Sequence, residues 1–278
     1  IKHDLSNANQ ATPKITWFGH SSYLIQYQGK NILVDPVFSG NAAPVTFAVK
    51  SFLGTDVYTE KDMPHIDLVI ISHDHYDHLD YKTVSALKSQ TDKFLMPLGV
   101  SSHFMSWGFD EKQTHELDWW ETFNFNSEIK VTATPARHFS GRSFERAKTL
   151  WASYVLELGQ YKIFIGGDSG YDDQFAKIGQ KFGTIDIAML ECGQYGVNWP
   201  YIHMFPEQTA QAAKDLNAKF LFPVHWGKFI LSVHSWNESI QRVSKKAQEI
   251  GVHITTPIIG EPIILNQTMP DSKWWEKL

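Results

Sequence analysis

The chain has 278 residues, carries 25 Lys and Arg against 30 Asp and Glu for a formal charge of −5, and is 42% hydrophobic and 20% charged. That length and balance suit one or two globular domains with a large core and exclude collagen-like, low-complexity or broadly disordered chains. The negative balance disfavours a nucleic-acid partner. One cysteine, Cys192, excludes an internal disulfide and a multi-cysteine metal site.

No apolar stretch reaches the ~18 residues of a membrane-spanning helix. The opening Ile1-Lys2-His3-Asp4 has no apolar signal-peptide core and no initiator Met, so it is expected to follow something removed upstream. Cytoplasm or the membrane periphery is the expected location, with an exported mature form also open.

In chain order, residues 1–14 read as an N-terminal extension. Ile15–Phe18, Tyr23–Tyr27 and Asn31–Val34 read as short strands, the last two joined by a Gln28-Gly29-Lys30 turn into an antiparallel hairpin. Residues 39–62 are a long excursion, apolar enough over 41–58 to touch lipid or to bury against the domain. Leu68-Val69-Ile70-Ile71 is continuous and β-branched, the pattern of a strand buried on both faces, and it delivers the chain to His73. Asp80 then caps a helix through Ser89. Strands are expected at Ile129–Ala133, Ser153–Leu158, Lys162–Ile165 and Ile187–Leu190, with helices at Asp172–Phe182, Pro206–Asn217 and Ser239–Ile250. Pro206 followed by Glu207 is a favourable helix start. Mixed strands with interspersed helices predict an α/β layered architecture, and without a linker or repeat, a single domain over 1–278.

His73-Asp74-His75-Tyr76-Asp77-His78 packs three imidazoles and two carboxylates into one loop. Nitrogen and oxygen donors without thiolate are the ligand set of zinc or a similar divalent ion. Alternation in an extended turn lets His73 and His75 share one ion while Asp77 and His78 address a second. The chain's own His and Asp frequencies give that pattern on the order of 0.002 times by chance. Two ions need more donors, and three candidates follow expected strands: His138, Asp168 and His225. Singly, each also reads as an ordinary hydrogen-bonded histidine or a turn-forming acid.

These residues resemble the metallo-β-lactamase superfamily, and more narrowly its N-acyl-phosphatidylethanolamine phospholipase D branch. The resemblance rests on Trp17-Phe18-Gly19-His20-Ser21-Ser22, the run from Ile71 through His73 to Tyr81, Leu117-Asp118-Trp119-Trp120, Gly167-Asp168-Ser169-Gly170-Tyr171, His203-x-x-Pro206-Glu207 and Val224-His225-Trp226-Gly227, across Trp17 to Leu265. It implies an αββα sandwich with two divalent ions, zinc first and manganese or iron as alternatives. His73, His75 and His138 would hold one ion, Asp77, His78 and His225 the other, and Asp168 both. It also implies catalytic roles for Asp77, Asp168 and His203, the last near the substrate phosphate, and a supporting role for His20. Tyr195, Trp199 and Tyr201 are expected to line a pocket. Trp119, Trp120, Trp226 and Trp236 are read mainly as core.

Two neighbouring ions lower the pKa of a shared water toward neutrality. The function expected is therefore a phospholipase D-type phosphodiesterase acting on a phospholipid or small phosphodiester, with peripheral membrane contact, no nucleic acid and no oligomeric state specified. Such an enzyme should carry a wide apolar groove beside the metals. A lactonase or other acyl hydrolase, of the kind that opens sugar-phosphate lactones, is the alternative, with a smaller and more polar site.

Overall fold

The computed structural model describes residues 1–6, 9–45, 47–142 and 146–278, so Thr46 of the excursion lies outside the described residues. The chain opens with β1 (Lys14–Trp17), β2 (Tyr23–Tyr27) and β3 (Lys30–Val34). Gln28 (φ 46°) and Gly29 (φ 77°) join β2 to β3 with two left-handed residues, the twist that a tight hairpin requires. Next come β4 (Ile66–Ile70), α1 (Tyr81–Leu87), β5 (Thr91–Pro97), α2 (Ser101–Ser106), β6 (Thr114–Leu117), β7 (Thr122–Asn124) and β8 (Ile129–Thr134). The chain continues through β9 (Ser153–Leu158), β10 (Tyr161–Ile165), α3 (Gln174–Phe182), β11 (Ile185–Glu191), α4 (Pro206–Asp215), β12 (Ala218–Val224), α5 (Glu238–Ile250), β13 (His253–Ile254) and β14 (Pro262–Ile264).

The strands form two sheets of seven, ordered β14-β1-β2-β3-β4-β5-β6 and β13-β12-β11-β10-β9-β8-β7. In the first sheet the pairings from β14 to β3 are antiparallel and those from β3 to β6 parallel. The second repeats the arrangement along the chain: antiparallel from β7 to β10, parallel from β10 to β13.

Period-two alternation explains the layers. Tyr23, Ile25, Leu68 and Ile70 turn into the core shared with the second sheet, while Leu24, Val69 and Ile71 turn outward onto Val84, Leu87 and Phe104 near α1 and α2. Phe175, Ile178, Ala213, Ile240 and Val243 of α3, α4 and α5 belong to the cluster that includes the second sheet. The result is the αββα sandwich. Asp80 caps α1 by accepting from Lys82 N–H, and Pro206 stands in the first turn of α4. The helix expected through Ser89 tightens into a 3₁₀ turn after Leu87. Within the excursion, Ala42 buries against Val37 and Phe229, while Phe47 and Leu53 are exposed.

Candidate active site

Four donors come from the segment after β4. At the exit of that strand, Ser72 donates through its N–H and hydroxyl to the two oxygens of Asp35, at 2.8 and 2.6 Å. Asp35 follows β3 and also meets His78 Nδ1 at 2.8 Å. The chain then curls back, with the N–H groups of His78 and Leu79 both donating to the His75 carbonyl. Asp74 is tied to the opposite flank, accepting from Gly141 N–H, the Thr149 hydroxyl and His103 Nε2. His73, His75, Asp77 and His78 are thereby gathered round one centre.

The second sheet supplies the rest from the ends of its strands. His138 follows β8, Asp168 follows β10, Glu191 ends β11 and His225 follows β12. The two sheets are joined here by backbone: His225 N–H donates to the His20 carbonyl at 2.9 Å and His20 N–H to the Trp226 carbonyl at 3.1 Å. His20 (φ 53°), Asp35 (φ 40°) and His225 (φ 66°) all adopt the left-handed region, and such strain gathers where a site must be held in one shape. Gly167 (φ 58°), beside Asp168, is required twice over: a Cβ there would stand 2.8 Å from the Cβ of Ser72.

Two groups hold the seven expected ligands and His20, one of His73, His75, His138 and Asp168 and one of His20, Asp77, His78 and His225, and a third set, Asp168, Glu191, His203 and His225, overlaps both; in each the ligand atoms lie within 4.8 Å of one another. Asp168 stands between the first two. Its Oδ1 lies 3.1 Å from His78 Nε2, and its Oδ2 lies 3.2 Å from His225 Nε2, 3.7 Å from His138 Nε2 and 3.8 Å from His73 Nε2. Among the described residues, neither His78 Nε2 nor Asp168 Oδ1, both buried, finds a well-aligned hydrogen-bond partner despite their 3.1 Å approach. His73 Nε2 and His138 Nε2 both face His75 Nδ1, at 2.8 and 3.1 Å. Buried lone pairs aimed at one another with too few donors are the arrangement a divalent cation satisfies. The residues fit a dinuclear metal site. His20 spends its Nε2 on Asp77 Oδ2 at 2.9 Å, in keeping with support rather than ligation.

Burial pushes His73 and His138 well below the usual imidazole range, and His75 down as well. Burial and then His225 bring His20 to about 3. Against burial, His78 holds Asp77 well below the carboxylate range, and His225 does the same for Asp168. His78 and His225 go the other way: burial opposes their charge, but Asp168 outweighs it and lifts His225 to about 10. Ionised acids and mostly neutral rings are the protonation state of a metal ligand set.

Two carboxylates that strand and motif reasoning passed over complete the site. Asp35 orients His78. Glu191 is fully buried, accepts from Ser169 N–H at 2.7 Å and meets His203 Nδ1 at 2.6 Å. Both acids end or follow a buried strand, the same signal that singled out Asp168. Burial raises Glu191 against the pull of His203, and the Glu191 carboxylate raises His203 against its burial.

The centre opens into a cavity of about 290 Å³ whose walls include His203, Phe139, Trp199, Ile202 and Leu231. The groove is apolar in part but not wide, because Gln194 ties the flanking loops together, accepting from Leu231 N–H and donating to the Phe229 carbonyl. Trp199 lines the cavity. Tyr195 does not: its ring stacks on His234 and its hydroxyl donates to Glu238, which turns it away. Tyr201 is exposed beneath the Arg137 guanidinium, outside those walls. Trp226 is buried among Trp17, Trp236 and Trp274, and the last two line a separate apolar cavity of about 670 Å³ that contains none of the centre's side chains.

A profile described as the beta-lactamase superfamily domain matches residues 30–226, a span that contains all seven of the converging His and Asp side chains. The chain belongs to the metallo-β-lactamase superfamily. Within that superfamily it is 39% identical over 265 residues to an uncharacterized protein of Mycobacterium tuberculosis, covering 94% of this chain and 71% of that one. It is 35% identical over 248 residues to the mitochondrial N-acyl-phosphatidylethanolamine-hydrolyzing phospholipase D of Saccharomyces cerevisiae, covering 84% of this chain and 51% of that one, so it spans about half the length of the yeast protein. Among solved structures, Igni18, a metallo hydrolase from Ignicoccus hospitalis, matches with a TM-score of 0.70 at 21% identity, over 91% of this chain and 97% of that one. As a superfamily member with this His/Asp centre, the protein is a metal-dependent hydrolase. Among the described residues, no helix is long and apolar enough to cross a membrane.

Proposed function

We propose that the protein is a phospholipase D-type phosphodiesterase acting on N-acylated phosphoethanolamine lipids or related phosphodiesters. One juxtaposition carries the reading: Asp168 stands between two buried His/Asp groups on a cavity otherwise walled by Phe139, Trp199, Ile202 and Leu231 together with Gln194 and His203. The relationship to the yeast phospholipase supports the lipid class.

In this reading His73, His75 and His138 would hold one ion and Asp77, His78 and His225 the other, with Asp168 shared, and zinc would suit the nitrogen and oxygen donors, with manganese or iron as alternatives. When bound, such a pair supplies an acidified water and positive charge beside the phosphoryl oxygens. The chain's own residues do the rest. His20 and Asp35 fix the orientation of Asp77 and His78. His203, whose Nδ1 is occupied by Glu191, presents Nε2 to the cavity and passes a proton to the leaving alcohol oxygen. The apolar walls hold the carbons next to the phosphate.

A volume of about 290 Å³ lies at the small end of ligand pockets, so it receives the phosphodiester and adjoining carbons while acyl chains run outside. Val197 (81% exposed) and Val233 (95%) lie on the loops that carry Trp199 and Leu231, and an apolar margin of this kind suits a lipid surface.

The test is to load the protein with zinc, manganese or iron, measure metal per chain, and offer it N-acyl-phosphatidylethanolamine vesicles and a sugar-phosphate lactone in water enriched in oxygen-18. Release of N-acylethanolamine with the label in the phosphatidic acid is the expected result. Lactone opening with intact phosphodiesters would replace this reading with the lactonase alternative.

A further inference from the structure

Glu191 belongs to no motif and is not among the seven converging side chains, yet it is fully buried beside the centre with both oxygens engaged. Its Oε1 accepts from the N–H groups of Ser169 at 2.7 Å and Met204 at 3.3 Å. Its Oε2 faces two rings at once: His203 Nδ1 at 2.6 Å and His225 Nδ1 at 3.5 Å. Those rings are stacked, with centroids 5.3 Å apart and planes 16° from parallel. His225 has a second acceptor for its Nδ1 in the Gly193 carbonyl at 3.4 Å, whereas Glu191 is the partner found for Nδ1 of His203.

We propose that Glu191 is a positioning residue that keeps the Nδ1 proton of His203 on its carboxylate, so that Nε2 is the atom that delivers a proton to the leaving group. This rests on the phosphodiesterase reading above. A carboxylate on one imidazole nitrogen fixes which nitrogen carries out proton transfer and how the ring is turned. In the step itself, the oxygen of water bonds to phosphorus. The bond from phosphorus to the leaving alcohol breaks with its electron pair on that oxygen, which takes the proton from His203 Nε2. The proton lost by the water returns to Nε2 through solvent, so the ring and the carboxylate end as they began.

Glu191→Gln inverts the arrangement. The Ser169 and Met204 N–H groups hold the amide oxygen, which turns the NH₂ toward His203 and forces Nδ1 to accept. The ring then keeps only its Nε2 proton, and a neutral imidazole is a far poorer acid than the imidazolium that the Glu191 carboxylate supports.

The experiment compares wild type, Glu191→Gln and His203→Gln, each loaded with zinc and with metal content measured. Nitrogen-15 NMR of the histidine rings reads the tautomer, the His203→Gln spectrum identifying the signals. Hydrolysis is measured on two soluble phosphodiesters, one releasing p-nitrophenol and one, a short-chain N-acylated phosphatidylethanolamine, releasing an alkyl alcohol. Expected for Glu191→Gln are retained zinc, loss of the Nδ1 proton with Nε2 still protonated, and a loss of about 100-fold or more in kcat on the alkyl leaving group with little loss on p-nitrophenol, whose oxygen needs no acid. His203→Gln should show the same split. Equal losses on both substrates, or a retained Nδ1 proton, overturn the proposal. So does loss of zinc with the His203 proton still on Nδ1, since Glu191 would then serve His225. If wild type cleaves neither diester while the Nδ1 proton is lost as expected, the phosphodiesterase reading falls and the positioning of His203 by Glu191 stands.

Discussion

The carboxylate of Asp35 enters the His-rich loop from a neighbouring strand and meets His78 Nδ1 at 2.8 Å, while its two oxygens also hold the N–H and hydroxyl of Ser72. A carboxylate behind a ligating imidazole fixes its tautomer and raises its basicity. Asp35→Asn is therefore expected to weaken metal binding by about 10–100-fold, measured by competition with a chromogenic chelator. An affinity equal to wild type would show that His78 needs no such partner.

His20 supports Asp77 in the same manner from the other flank, with Nε2 2.9 Å from Oδ2. His20→Asn tolerates the left-handed backbone at this position better than most replacements. Elemental analysis is expected to fall from two metals per chain toward one, because Asp77 belongs to one of the two groups and not to the other. Full occupancy would mean that Asp77 is held by the loop alone.

Gly167→Ala tests the close approach between the sheets. The substitution meets both a left-handed backbone and the Ser72 side chain at 2.8 Å. A loss of about 1–3 kcal/mol is expected from the urea midpoint, with metal content reduced because Asp168 shifts with its neighbour.

Stability of the chelator-treated protein should pass through a maximum near pH 6.5. His20, His73, His75 and His138 are held below their ordinary value of 6.5, so the unfolded chain takes up protons that the fold refuses, and stability falls as pH drops below 6.5. His78 and His225 are held above it, so their contribution is complete below 6.5 and is lost as pH rises, for His225 through about 10. Metal replaces those two protons, so the alkaline loss should be much smaller in the loaded protein. Thermal melts across pH 4–10 with and without chelator check both limbs, and parallel curves would contradict this account.

Much of this was legible in the sequence, for reasons that differ by element. Strands β2, β3, β4 and β9 announce themselves because their residues are apolar on both faces, and His73 to His78 because dense donors in one loop have little other use. β5 was hidden by Asp92, Lys93 and Pro97 around a core of only Phe94, Leu95 and Met96. β6 and β7 lie at sheet edges, where polar residues are tolerated. Asp35 and Glu191 went unread because a lone acid after a strand has many ordinary uses, and only the fold brings each onto a histidine. Tyr195 shows the converse: it is near His203 in sequence, but its hydroxyl is committed to Glu238.

Lipid-surface contact makes its own prediction. Val197 and Val233 are exposed and contribute nothing to the cavity walls. Replacing both with Glu should lower turnover on vesicles severalfold while leaving hydrolysis of a soluble phosphodiester unchanged, with vesicle sedimentation falling in parallel. Equal rates on vesicles would rule these two side chains out as the contact.

The seven converging side chains divide four to three between the layers: His73, His75, Asp77 and His78 follow β4 of the first sheet, and His138, Asp168 and His225 follow strands of the second. Elsewhere the layers adhere mainly through apolar contact, but at this rim charged and ligating side chains meet across the seam. Metal bound there would act as a rivet through one seam of the sandwich. Stripping it should let amide hydrogens around Ser72 and Trp226 exchange with solvent well before those of β7 or β14, so that the machinery of hydrolysis is also the first part of the molecule to come undone.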